Sequence, residues 1–311
     1  MKGLLGKAVK NMLLQKTPNT PSINLGIVYF SSARTQNIDA LKIENKKLAP
    51  DDLLTLHKAK QKMEQIGWAM QGLNKMGNVI ESRVQLLPQK QRDRIQQITY
   101  KVLHTVVKSN LISMDKNAKT TPSNKLYKAL VTSSGAIGGA LGVTAFAVDL
   151  TLATKLMMRS IMDIARSEGE DLNSLDSQLA CLQVFALGGK SKHDDHLDTG
   201  YYATRIAISS AVKGASGIAG KTLTSLLNTT GNPLLQLIAQ VASRFSIQVS
   251  EKFVAQAIPI VGAAGGATIN LAFIDHFQNM AHAHFSIRRL ERKYSVDQIR
   301  SAYEELSLTK I

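Results

Sequence analysis

Two stretches of this chain carry no formal charge: Ala129–Val148, 20 residues between Lys128 and Asp149, and Phe253–Ile274, 22 residues between Lys252 and Asp275. Each is long enough to cross a bilayer as a helix. Each would also suit a helix surrounded by other helices. Both are rich in small residues, with Gly135, Gly138, Gly139 and Gly142 in the first and Gly262, Gly265 and Gly266 in the second. The pairs Gly138/Gly142 and Gly262/Gly266 have the G-x-x-x-G spacing that lets helix backbones approach closely. The small residues lower the hydrophobicity of both runs, and Pro259 and Asn270 weaken the second further. Two readings stay open, a pair of buried core helices and a pair of membrane-inserted helices or hairpins.

The rest of the chain reads as helix. It has 311 residues, 7 prolines and 5% aromatics, so the expected core is aliphatic and long helices can run uninterrupted. Pro50 and Asp51 open one helical stretch, with Asp51 or Asp52 placed to cap it. Ile95, Ile98, Val102, Val106 and Leu111 mark a second helix after Pro88. Further helices are expected over Ala147–Arg166, Leu175–Leu187, Tyr201–Val212, Pro233–Ala257, Phe273–Tyr294 and Val296–Leu306, with a polar loop over Gly188–Asp198. Ile27–Phe30 is a candidate short strand with no clear partner. The expected fold is an all-α multi-helix bundle with two central Gly/Ala-rich apolar helices. Residues 1–48 read as a basic amphipathic segment and linker, and residues 49–311 as the helical domain. The first sixteen residues lack the long apolar run and cleavage site of a secretory signal.

The formal net charge is +15, and it is unevenly placed. Residues 1–130 hold 22 Lys and Arg against 8 Asp and Glu; the remainder holds 16 against 15. Such asymmetry points to an anionic partner. Lys7 and Lys10 lie opposite an apolar arc of Leu4, Leu5, Ala8, Val9 and Met12, a pattern suited to a membrane interface. Arg288, Arg289, Arg292 and Lys293 form a second basic cluster, next to an apolar segment. Lipid headgroups are one expected partner for it. The alternative is internal ion pairing, with Glu304 and Glu305 or with Asp163 and Glu168. No nucleic-acid-binding motif appears, and aromatics are sparse beside the basic residues, so nucleic acid is not an expected partner.

Few residues suggest chemistry. Residues 215–222, ASGIAGKT, match a loose phosphate-loop pattern, but a helix precedes them where such a loop needs a strand. His193 and His196, with Asp194, Asp195 and Asp198, offer metal-ligand types in a polar loop; no metal or cofactor is expected. Cys181, the only cysteine, sits in an apolar run and reads as a buried hydrophobe. Asp149, Asn270, Asp275, His276 and His282 are polar groups in or beside apolar segments, and a buried polar network is the expected role. A hydrolase-like site near Asp149, Asp275 and His276 is the alternative, although no nucleophile accompanies them.

Three stretches carry a resemblance to a known family. They are the Gly-rich run leading into VDLTLATKLMMRSIMDIARSEGEDL (148–172), ACLQVFALGG (180–189) and IPIVGAAGGATINLAFIDHFQNMAHAHFSIRRLERKYS (258–295). Together they resemble the signature segments of EcsC-like proteins, over roughly residues 50–305. The chain departs from that pattern at Gln183, where many relatives have an acid, and at Leu152, where proline is common. The resemblance implies a bacterial, helical, membrane-associated protein and supplies no catalytic residues. The leading expectation is therefore a non-enzymatic protein that is cytoplasmic, at or partly in the inner membrane. It would bind anionic lipid or an apolar ligand, and an accessory place beside a membrane transporter component is part of that expectation. A protein-binding scaffold is a further alternative.

Overall fold

The computed structural model describes residues 48–64, 77–113, 122–138, 142–187, 200–213, 233–258 and 266–306. The chain divides at Lys47/Leu48 into two units, and every described residue lies in the second. The N-terminal segment with Lys7 and Lys10, the Ile27–Phe30 strand, the loop with His193 and His196, and residues 215–222 lie outside the described residues.

The described residues form ten α-helices and no strand. They are α1 (Pro50–Met63), α2 (Gly77–Gln85), α3 (Gln89–Ser113), α4 (Asn124–Gly138), α5 (Gly142–Ser167), α6 (Leu175–Gln183), α7 (Tyr201–Lys213), α8 (Pro233–Ala257), α9 (Gly266–Tyr294) and α10 (Val296–Glu305). A 3₁₀ turn, Val184–Ala186, follows α6.

The centre of the bundle is α9, which packs against α1, α4, α5, α8 and α10. Its apolar residues recur all round the helix rather than on one stripe, which is what a surrounded helix requires. Ile269, Phe273, Phe277, Ala281 and Phe285 are each 0% exposed. Phe273 and Phe277 meet Phe245, and Phe277 meets Phe185, with ring centroids 5.3–6.0 Å apart. These edge-on and offset rings tie α9 to α8 and to the 3₁₀ turn.

Neither charge-free run is one helix. The first is shared between α4, which ends at Gly138, and α5, which begins at Gly142. The second is shared between α8, which ends at Ala257, and α9, which begins at Gly266. Clustered glycines weaken helix propagation across the first junction. Pro259 disfavours helix at the residue before it, and α8 stops two residues short of it. Among the described residues no helix is long and apolar enough to cross a membrane.

The expected cap of α1 is corrected. Its N-cap is Ala49, with no side-chain bond, and Pro50 supplies the first helical position. Asp52 is buried and accepts from Lys293 Nζ at 2.6 Å and Tyr294 Oη at 2.7 Å. Tyr294 Oη in turn accepts from the Ala49 N–H at 3.0 Å. The carboxylate thus fastens the start of α1 to the end of α9 instead of closing its own helix.

Candidate functional site

The two charge-free runs meet at one end of the bundle. Along α4 and α9, Val131 lies by Asn270, Lys128 by Asp275, and Asn124 by Gln278 and His282, so these helices are antiparallel. Along α4 and α5, Asn124 meets Ser160, while Val131 and Asp149 share Asn270, so these two form an antiparallel hairpin. Asp149 on α5 also meets Lys252 and Gln256 near the end of α8. Four helix ends, those of α4, α5, α8 and α9, therefore converge.

The charges that bracket the runs pair crosswise. Lys252, which precedes the second run, lies 2.8 Å from Asp149, which ends the first. Lys128, which precedes the first run, bonds Asp275, which ends the second. The Lys252–Asp149 pair is buried; the Lys252 side chain is 0% exposed. Asn270 Nδ2 donates to Asp149 Oδ1 and to the Val131 carbonyl, both at 3.0 Å, and Gln256 Nε2 donates to Asp149 Oδ2 at 3.2 Å. The Lys252 ammonium lies over the Phe273 ring, 5.1 Å from its centroid. Burial pushes the Asp149 carboxyl up; the Lys252 charge and the hydrogen bonds outweigh it and hold the group below its ordinary value. Burial lowers the Lys252 ammonium against the pull of Asp149.

On both sides of these pairs the α4–α5 hairpin shows aliphatic surface to solvent, with Leu130 and Val148 inside the charge-free run and Leu126 and Leu152 just outside it. Leu126 and Leu130, one turn apart on α4, are 57% and 43% exposed. Val148 and Leu152, one turn apart on α5, are 67% and 45% exposed. Val148 sits next to the buried Asp149, so a single residue step separates the sealed ion pair from the apolar exterior.

The basic cluster of α9 is paired with carboxylates of the chain itself. Arg288 donates to both oxygens of Glu170, at 2.9 and 3.0 Å, and to Asp176 at 2.7 Å. Arg292 bonds Glu170 and, at 2.6 Å, the Glu168 carbonyl. Arg289 pairs with Glu168 at 2.8 Å, and Lys293 with Asp52 at 2.6 Å. Glu168 and Glu170 lie on the connection from α5 to α6, Asp176 in the first turn of α6 and Asp52 on α1. That connection turns at Gly169, whose φ of +86° is a left-handed conformation a side chain would strain. Ser177 Oγ completes the Glu170 site at 2.6 Å, and the carboxyl is held at about 2, where burial alone would raise it. Of the sequence-level partners, Glu168 is used; Asp163 pairs with Arg166, and Glu304 with Arg300.

The polar residues expected in one network fall into separate groups. Asp149 and Asn270 are joined as expected. Asp275 bonds Lys128 and Asn279, and His282 Nε2 lies 2.9 Å from Asn124 Nδ2. His276 is buried, edge-on to Phe277, and burial pushes its imidazole down to about 4. Among the described residues no hydrogen bond links Asp149, Asp275 and His276 to one another. Cys181 is buried beside a small apolar cavity lined by Val107, Met158, Met162, Leu172 and Gln178, and burial raises its thiol far above the usual range. Among the described residues no three His, Cys, Asp or Glu side chains gather as metal ligands.

Lys252 and Glu170 are the residues that sequence reasoning passes over. A signal existed for each. Lys252 and Asp149 bracket those run ends, and three acids within 167–171, SEGED, stand against the four bases of 288–293. The profile of the EcsC protein family matches residues 51–290, and the chain belongs to that family. No curated protein and no solved structure matches the chain.

Proposed function

We propose that this EcsC-family chain is a peripheral membrane protein that seats the uncharged end of its bundle in the interface of an anionic bilayer, without catalysing a reaction. The observation that carries this reading is the exposure of Leu126, Leu130, Val148 and Leu152 on a hairpin whose bracketing charges each pair with an opposite charge of the chain, one pair buried and one half-exposed. Aliphatic surface gains about 25 cal/mol per Å² when it leaves water. An unpaired charge costs about 2.5–3.5 kcal/mol at the bilayer centre and less toward the interface. The crosswise pairs lower that cost and leave the apolar gain. The overall charge of +15 adds long-range attraction to anionic lipid.

Co-flotation of the full chain with phosphatidylcholine vesicles, with and without phosphatidylserine, tests the reading. The parent should float with the anionic vesicles. The variant Val148→Asp/Leu152→Asp should stay behind while melting as the parent does, because both positions are solvent-exposed. A parent that floats with neither vesicle, or a variant that floats as well as the parent, overturns it.

A further inference from the structure

Part of the basic excess of residues 1–130 lies on α3, which holds five Lys and Arg against one acid. That helix buries Ile95, Thr99, Val102, Leu103 and Val106 along one side. Lys90, Arg94, Gln97 and Lys101 are exposed and recur at steps of four, three and four residues, so they form one stripe opposite the buried side. From Lys90 to Lys101 the stripe spans about 16 Å at 1.5 Å per residue. The only acid of α3, Asp93, lies beside the stripe and accepts from Gln89 at 2.8 Å. Among the described residues no hydrogen bond or ion pair engages the side chains of Lys90, Arg94 and Lys101.

The contrast with α9 decides what the stripe can do. Arg288, Arg289, Arg292 and Lys293 are each bound to a carboxylate of this chain. Among the described residues the three cations of the α3 stripe, Lys90, Arg94 and Lys101, have no such partner. Tyr100 and His104 stack along one edge, ring centroids 6.4 Å apart. A phenol with an apolar body and a polar tip suits the boundary between headgroups and acyl chains. The surface is convex, a single helix face, which fits a planar array of phosphates.

We infer that the Lys90–Arg94–Lys101 stripe of α3 is a binding surface for the phosphate headgroups of anionic lipid, separate from the basic cluster of α9. This inference rests on the bilayer reading and names its electrostatic half. The stripe supplies salt-sensitive attraction, and the apolar hairpin supplies the part that salt does not remove.

The test is equilibrium partitioning of the full chain onto phosphatidylserine-containing and pure phosphatidylcholine vesicles, at low and high salt. The variant is Lys90→Gln/Arg94→Gln/Lys101→Gln. Each basic residue near an anionic surface contributes about fivefold, so the variant should bind anionic vesicles about 100-fold more weakly at low salt. Its weaker binding to neutral vesicles should match the parent. A triple variant that binds anionic vesicles as the parent does overturns the inference and leaves the hairpin reading standing. If Val148→Asp/Leu152→Asp binds normally while the triple variant fails, the hairpin reading falls and the stripe survives. Stripe-dependent binding of a single-stranded oligonucleotide, with no binding to vesicles, overturns both and makes the stripe a nucleic-acid surface.

Discussion

The Lys252 ammonium lies 2.8 Å from the Asp149 carboxylate and faces the Phe273 ring, in a site where its side chain is 0% exposed. A buried charge whose partner is removed has nothing left to offset its lost hydration. Lys252→Met should therefore destabilise the protein by about 3–5 kcal/mol. The double variant Asp149→Leu/Lys252→Met should recover most of that loss, because it removes both desolvated charges together. Urea unfolding midpoints of the parent, the two single variants and the double variant measure the coupling. Additive losses would show that the two side chains do not act as a pair.

Glu170 offers a pH test with a defined sign. Its carboxyl is held at about 2 against an ordinary 4.5. Its contribution is then fully present above 4.5 and is lost as pH falls toward 2. Near neutrality Glu170→Gln should lose about 3 kcal/mol, and near the acid limit it should match the parent. Arg289→Gln, which breaks the half-exposed pair with Glu168, should change stability by about 0.5 kcal/mol or less.

The buried histidines act in a higher window. His276 is pushed down to about 4, and burial lowers His284 well below the ordinary 6.5. The unfolded chain takes up these protons first, so stability should fall as pH drops from 6.5 toward 4. His276→Gln should flatten that fall. The slope of urea midpoint against pH, for parent and variant, reads it directly; equal slopes would show that His276 does not contribute.

Cys181 should be silent in the native protein. It is 1% exposed, and its thiol is held protonated by burial. A colorimetric disulfide reagent should label the chain in denaturant and leave the folded chain untouched over the same interval. Rapid labelling without denaturant would mean that α6 opens readily.

Much of the fold is legible in the sequence, and the misreadings have physical causes. Pro233 and Ala257 bound α8 as the sequence suggests, because the proline start and the apolar periodicity are local signals. The charge-free runs mislead because absence of charge marks burial without marking where a helix turns; Gly138–Gly142 and Pro259 were the turn signals within them. Asp52 misleads because a carboxylate one step into a helix serves a cap and a distant lysine equally well, and only tertiary placement decides. Arg288 to Lys293 look like one exposed cluster because Glu168 and Glu170 lie far away in sequence. In α3 the unpaired stripe was open to view, yet the hydrophobic period drew the eye to the opposite side of the same helix.

The order of the bracketing charges also selects how the halves of the bundle assemble. Each run begins after a lysine and ends before an aspartate, and each folds across a helix junction. Lys128 on α4 meets Asp275 on α9, and Lys252 on α8 meets Asp149 on α5, so every lysine meets an aspartate. Docked the other way round, Lys128 would face Lys252 and Asp149 would face Asp275, two like-charge encounters at once. Four charges thus favour the observed crosswise pairing over its exchange, a selection that glycine- and alanine-rich surfaces do not supply.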